Sequence, residues 1–196
     1  MHRAIRQDLE RLISCLGEDG GRSTRRTAML RRYTAALLAQ VRAHHEGEAD
    51  ILWPMAAAAA GQALDITPLT DDRLAVAAAL TQAGRALDAV RAGSGPPGDL
   101  DASLRRVRSM LGEHIADEEL QMFPAISRYL RADAYRWCEK QMQRHAPLRA
   151  RRFAPSWLAR HAHRDELRRL RVTCVWPDRI LLACPGRNPT RKEEKK

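Results

Sequence analysis

The chain has 196 residues and a formal net charge of +10, and its hydrophobic content is rich in alanine with few aromatic residues. This length suits one domain plus an appendage, and the alanine content favours helices over a sheet. No apolar run reaches the roughly 18–20 residues that span a bilayer, and early charged residues argue against a signal peptide. The composition therefore predicts a cytoplasmic helical protein without membrane spans.

The positive charge is concentrated at one end of the chain. Residues 1–143 hold 19 basic and 19 acidic side chains, whereas residues 144–196 hold 15 basic and 5 acidic ones. A neutral body with a basic tail is unlike a compact nucleic-acid-binding domain, but the tail could make weak contacts with an anionic surface. Four scattered cysteines without a CxxC pair favour reduced thiols over a disulfide framework.

Apolar residues at helical spacing predict four amphipathic helices. They cover residues 2–16, about 25–52, about 71–91 and about 100–122. Pro54 is expected to end the second helix, because the residue before a proline avoids the α region. Four such helices with short connections predict an all-α, up-down-up-down four-helix bundle over residues 1–130.

Residues 131–196 are predicted to form a short, basic, partly irregular C-terminal extension. Its segments 133–145 and 156–171 look helical, and the arginine content of the second predicts a surface position. Residues 172–184 fit either a small hairpin or irregular packing, and residues 186–196 are predicted to be disordered. The histidines of this basic part, His145, His161 and His163, are expected to be solvated.

One motif occurs twice, as HHEGEADILWP at residues 44–54 and as HIADEELQMFP at residues 114–124. In each copy a His is followed four residues later by a Glu, and an aromatic-Pro pair comes after both. Residues four apart share a helix face, so each helix presents an imidazole and a carboxylate to the same side. A lone His on an apolar face is more often a core residue than a ligand, but the repetition argues against that explanation here.

Two such helices facing each other predict a site for a pair of metal ions. The first helix adds a third imidazole, because His2 lies on its apolar stripe. Imidazole combined with carboxylates that can bridge suits iron or manganese, and the absence of clustered cysteines argues against a thiolate zinc site or an iron–sulfur cluster. The candidate metal ligands are His2, His44, Glu48, His114 and Glu118.

The two motifs resemble the signature helices of the hemerythrin, or HHE cation-binding, family. HRAIRQDLERL near the N-terminus resembles the first helix of actinobacterial hemerythrin-like proteins, and FAPSWL at residues 153–158 resembles a C-terminal segment that some of them carry. The resemblance covers residues 1–130 well. It implies a non-haem centre of two iron ions, oxo- or hydroxo-bridged, with the three histidines as terminal ligands and the two glutamates as bridging carboxylates.

Two assignments within the motifs stay open. Some family members place the second carboxylate five residues after the His, which would select Glu119 in place of Glu118. His45 could exchange with His44, although the spacing of the repeat matches His44.

The third predicted helix departs from the family pattern, because TDDRLAVAAALTQAGRALDAV contains no His. Arg73 stands where a His is expected, and Asp72 is the nearest further candidate ligand. Tyr33 is another, three turns before His44 on the same helix face. Two six-coordinate irons have about 12 ligand positions, of which two bridging carboxylates take about 4 and an oxo bridge about 2. The five histidines of an oxygen-carrying hemerythrin would then leave about one position, whereas three histidines leave about three for water, these side chains or substrate.

A centre with several open positions favours peroxide chemistry over reversible oxygen carriage. The sequence therefore predicts catalase-like or peroxidase-like decomposition of hydrogen peroxide, or handling of O2 and NO, in oxidative stress. The alternatives are an O2, NO or iron-binding sensor or storage protein without turnover, and a bundle that has lost its metal. A ferritin-like carboxylate site is disfavoured, because no His in the chain has a Glu three residues before it.

Overall fold

The computed structural model describes residues 1–17 and 24–173, and the regular structure of these ranges is entirely helical. In chain order the segments are α1 (His2–Gly17), α2 (Thr24–Gly47), a first π-turn (Glu48–Leu52), α3 (Trp53–Ala60), a short 3-10 turn (Gly61–Ala63), α4 (Thr67–Ala92), α5 (Pro97–Asp117), a second π-turn (Glu118–Met122), α6 (Phe123–Tyr129), α7 (Ala132–His145), α8 (Leu148–His161) and α9 (Arg164–Thr173). None of the helices in these ranges is long and apolar enough to cross a membrane.

Four long helices surround the main core. Helix α1 contacts α2 and α5, and α4 also contacts α2 and α5, so the four close into a ring. Each contributes one apolar face, and side chains such as Leu9, Leu37, Leu80 and Leu104 are almost completely buried. This packing confirms the predicted all-α helical bundle.

The prediction that Pro54 ends the second helix is wrong. The Trp53 N–H bonds to the Glu48 carbonyl, and the Phe123 N–H bonds to the Glu118 carbonyl, so both π-turns span five residues instead of four. A proline has no N–H, and in a regular α-helix its ring would clash with the carbonyl four residues earlier. The widened turn relieves that clash, so each helix continues beyond its proline, to α3 and α6 respectively.

A smaller apolar cluster lies beside the two π-turns. Trp53, Ala56 and Leu69 pack there with Met122, and Ile126 lies at the edge of the group. The third predicted helix, α4, starts earlier than expected, at Thr67. The Asp65 carboxylate accepts a hydrogen bond from the Thr67 backbone N–H at this start. Through Trp53 this cluster contacts the rings of His45 and His114 in the repeated motifs.

The first part of the C-terminal extension packs against the bundle. Helices α7 and α8 both contact α2, and the Trp157 side chain is fully buried in the main core. Met142 of α7 lies against Gly47, where an added Cβ would come within 3.1 Å of the methionine side chain. The predicted surface position is therefore wrong for the beginning of segment 156–171.

Other expectations for the extension have mixed outcomes. His145 and His163 are exposed, as predicted, but the prediction is wrong for His161, whose side chain is 3% exposed and lies beside Asp8. Residues 172–173 belong to α9, and the remainder of the expected hairpin and the predicted disordered tail lie outside the described residues. Cys15 and Cys138 are both buried, and Cys174 and Cys184 also lie outside the described residues.

Candidate metal centre

Three helices bring the predicted ligands together. His2 lies in the first turn of α1, while His44 and His114 lie in the last turns of α2 and α5. Each glutamate is the first residue of a π-turn, one turn after its histidine. The repeated sequence thus builds the same local structure twice, and the bundle places the two copies close to the start of α1.

The imidazole nitrogens face the carboxylate oxygens at short range. His44 Nε2 lies 3.3 Å from Glu48 Oε2, and His114 Nε2 lies 3.4 Å from Glu118 Oε1. His2 Nε2 is between the two carboxylates, 3.8 Å from Glu48 and 3.5 Å from Glu118. One donor atom each from His2, His44 and Glu48 lies within 4.8 Å of the others, which is a grouping that could hold a metal ion.

Several of these buried atoms have no hydrogen-bond partner among the described residues. They are His44 Nε2, both ring nitrogens of His114, and Glu118 Oε1. Such atoms are rare in folded proteins, because desolvation without a compensating bond costs free energy. A cation between the carboxylates would satisfy imidazole lone pairs and carboxylate oxygens together, so the residues present fit a metal.

Burial also shifts the ionisation of these groups. It lowers the pKa of His44 well below its usual value, and the nearby histidines lower it further. Burial raises the pKa of Glu48 to about 7, reinforced by the charge of Glu118 and opposed by His2. For His2, burial disfavours the charged form, but its hydrogen bond and charge interaction with Glu48 outweigh this and raise the pKa. His44 is therefore neutral at pH 7, the form in which an imidazole binds metal.

The comparisons with known proteins agree with this geometry. Residues 1–126 match the family model described as the hemerythrin HHE cation binding domain. The chain belongs to the hemerythrin HHE family. Neither a search of curated proteins nor a search of solved structures found a match. In this hemerythrin-like domain, the match ends within α6 and includes both motifs and the helix that carries His2.

His45 occupies a different place from His44 in this hemerythrin-like domain. Its ring lies beside His114, with 4.9 Å between the ring centroids, and its Nε2 lies 3.3 Å from the Arg73 carbonyl. Its Nδ1 is buried without a hydrogen-bond partner among the described residues. Burial lowers the pKa of His45, and the His114 charge adds to this. A neutral His45 that donates from Nε2 keeps its Nδ1 lone pair available for a metal.

The structure does not bring the other candidates from α4 and α2 to the centre. Asp72 is exposed, and Arg73 pairs with Asp50 at 2.5 Å while its carbonyl contacts His45. Tyr33 lies roughly 16 Å from His44 along α2 by the usual rise per residue, and its hydroxyl donates a hydrogen bond to Asp8. The third long helix therefore contributes a backbone carbonyl beside the centre, where the family pattern has a histidine.

Glu119 lies next to the centre but faces other partners. Its Oε1 is 3.2 Å from His2 Nδ1, and both of its oxygens accept hydrogen bonds from Arg6. Arg6 is not among the residues predicted from the sequence. The available signal was its spacing, because Arg6 follows His2 by four residues and so shares its helix face.

Proposed function

We propose that this hemerythrin-like centre binds two iron ions and decomposes hydrogen peroxide. The observation that supports the proposal most strongly is the set of buried imidazole and carboxylate atoms that lack hydrogen-bond partners. Retaining such atoms without a ligand would destabilise the fold, whereas a bound cation would offset their desolvation. Iron suits a donor set of imidazoles and bridging carboxylates.

The residues divide between two metal positions. His2 and His44 would hold one ion and His114 the other, with Glu48 and Glu118 reaching both. His45 is the candidate for a further nitrogen ligand at the second position, because its ring adjoins His114 and its Nδ1 is without a partner among the described residues. With His45 included, the centre has four imidazoles, fewer than the five expected for an oxygen-carrying hemerythrin.

The small number of protein donors favours peroxide over reversible oxygen binding. Helix α4 supplies no imidazole, so even with His45 as a fourth imidazole about two of the about 12 positions on two six-coordinate ions would remain for exchangeable ligands. Iron held by these residues would supply the redox chemistry for the net conversion of two molecules of H2O2 to O2 and two of water. O2 and NO are related small ligands for the same centre.

The protein around the centre selects for small substrates. The side chains of His2, Glu48, His114 and Glu118 are at most 8% exposed, and that of His44 is 13% exposed. Trp53 and Met122 are buried beside the π-turns and exclude water from that side. This burial favours a substrate the size of peroxide over a bulky organic molecule.

Oxygen release from peroxide by the iron-loaded protein tests this proposal. We expect turnover above that of the same amount of free iron, and its loss in His44→Ala and His114→Ala. His145→Ala is the matched control, because His145 is exposed and bonds only to a neighbouring backbone carbonyl, that of Gln141, among the described residues. Iron binding without oxygen release would favour the sensor or storage alternative. Equal activity in wild type and both ligand variants would overturn the proposal.

A further inference from the structure

The two ring nitrogens of His2 have different partners. Its Nε2 faces Glu48 and Glu118, while its Nδ1 lies 3.2 Å from Glu119 Oε1. The two nitrogens of an imidazole are coupled, because a proton on Nδ1 leaves Nε2 with a lone pair. A carboxylate acceptor at Nδ1 therefore selects the tautomer in which Nε2 can bind a cation.

Glu119 is itself fixed by Arg6. The guanidinium donates from Nη1 to Oε1 at 3.1 Å and from Nη2 to Oε2 at 3.0 Å. A bidentate pair of this kind defines the plane of the carboxylate as well as its position. Arg6 lies one turn after His2 on α1, and Glu119 belongs to the second π-turn. The ion pair between Arg6 and Glu119 therefore also connects this helix to that turn.

We propose that Glu119 and Arg6 are positioning residues that fix the ring orientation and tautomer of His2 for metal binding. This inference rests on the proposed metal centre and assigns Glu119 a role outside the set of direct ligands. Both of its oxygens are bonded to Arg6 and one also to His2, and its side chain is 37% exposed. Glu118 is buried in the centre, so the two adjacent carboxylates have different tasks.

His2 needs such support more than the other two imidazoles. It lies in the first turn of α1, where hydrogen bonding along the helix is incomplete, whereas His44 and His114 are each followed by a continuing helix. Phe123 stacks on the His2 ring at 5.4 Å between centroids and restricts its tilt. The ring is therefore restrained by an aromatic stack on its face and by Glu119 at Nδ1.

Cobalt(II) affinity of the purified chain, measured by titration, tests the inference with a redox-stable probe. We expect Glu119→Ala to weaken cobalt binding by roughly 10- to 100-fold, the usual effect of losing a hydrogen-bond partner of a metal-binding histidine. Arg6→Ala should weaken binding less, because Glu119 would remain near His2. Glu119→Gln keeps an acceptor for Nδ1–H and should also lose less affinity than Glu119→Ala.

Glu10→Ala is the matched control. Glu10 on α1 forms an ion pair with Arg108 on α5 at 2.9 Å. The substitution therefore removes a similar surface ion pair at a residue that does not contact His2. The thermal stability of the metal-free Glu119→Ala and Glu10→Ala proteins should fall by similar small amounts, while only Glu119→Ala should lose cobalt affinity.

The possible results separate this inference from the proposed function. Unchanged cobalt affinity in Glu119→Ala, with tight binding by wild type, overturns the positioning role alone. Loss of affinity that merely follows the loss of metal-free stability, equally in Glu119→Ala and Glu10→Ala, also overturns it. No cobalt or iron binding by the folded wild-type protein overturns the metal centre and the inference together.

Discussion

His44 and His45 are neighbours in the sequence but belong to different parts of the centre. Successive residues of a helix are about 100° apart, so the two rings leave α2 in different directions. His44 faces His2 and Glu48, whereas His45 lies between His114 and the Arg73 carbonyl. From the sequence the two are alternatives for one position, but the geometry supports a separate role for each.

Replacing His45 should affect one metal position more than the other. We expect His45→Ala to lower the amount of bound iron or to weaken its second binding step by roughly tenfold, because a buried nitrogen donor beside His114 is lost. Metal analysis and titration of the variant provide the measurement, with exposed His145→Ala as the control. Wild-type iron content and affinity in His45→Ala would exclude His45 as a ligand.

The sequence was sufficient to predict the five main residues of the candidate centre as a group, because helical periodicity relates each His to its Glu. It could not show the contacts that depend on tertiary packing. Arg6 with Glu119, and His45 with the Arg73 carbonyl, join residues on different helices. The same limit applies to Tyr33, which shares a helix face with His44 but is held by Asp8.

At the scale of elements, the extension is held to the bundle by a second buried polar group. The Asp8 carboxylate of α1 accepts hydrogen bonds from Tyr33 of α2 and from Trp157 Nε1 of α8, the latter at 2.8 Å. His161 Nε2 lies 3.2 Å from the same carboxylate. Arginine-rich sequence predicted a surface helix, but one buried aromatic side chain and these polar contacts are enough to dock α8.

Removing the Trp157 side chain should destabilise the whole protein. We expect Trp157→Ala to lower the free energy of unfolding by about 3–5 kcal/mol, because it leaves a large cavity in the core. Trp137→Ala is the matched control and should change it by about 0.5 kcal/mol or less, because Trp137 is half exposed. Urea unfolding of both variants provides the comparison, and equal stability would show that α8 is not docked as described.

Asp8 should make stability depend on pH in the acid range. Burial alone would raise its pKa, but the contacts with His161, Tyr33 and Trp157 outweigh this and lower the pKa below 3.8. The unfolded chain then takes up the proton more readily than the folded one. The stabilisation is thus fully present above the unfolded pKa and is lost as the pH falls through the folded one.

The difference in unfolding free energy between wild type and Asp8→Asn should therefore shrink as the pH falls below about 4. Chemical unfolding at a series of pH values measures this difference. Asp72→Asn, at an exposed position, serves as the control and should follow wild type throughout. A difference that stays constant down to the lowest pH at which the protein folds would argue against a charged Asp8 in the core.

At the scale of the whole molecule, the candidate centre depends on the bundle. Its ligands come from α1, α2 and α5, so they meet only when these helices have packed. The two π-turns and their prolines are local consequences of the sequence, whereas the approach of His2 to both carboxylates is a product of the fold. A metal that binds here should bind the folded chain and not the unfolded one.

Metal binding should accordingly raise thermal stability. At a free metal concentration 100 times the dissociation constant, we expect about 2.7 kcal/mol of added stability, because the ligand binds only the folded state. A calorimetric scan with and without cobalt(II) measures the shift in Tm, which should be absent in a His44→Ala/His114→Ala double variant. The same shift in wild type and double variant would place the bound metal elsewhere.

Iron content of the purified protein tests the central claim most directly. After expression in iron-supplemented cells, we predict about two iron ions per wild-type chain, as in other two-metal sites, and loss of most of this iron in the His44→Ala/His114→Ala double variant. The His145→Ala protein should retain the wild-type amount. A folded wild-type chain without iron, or a double variant that retains as much iron as wild type, would contradict the account.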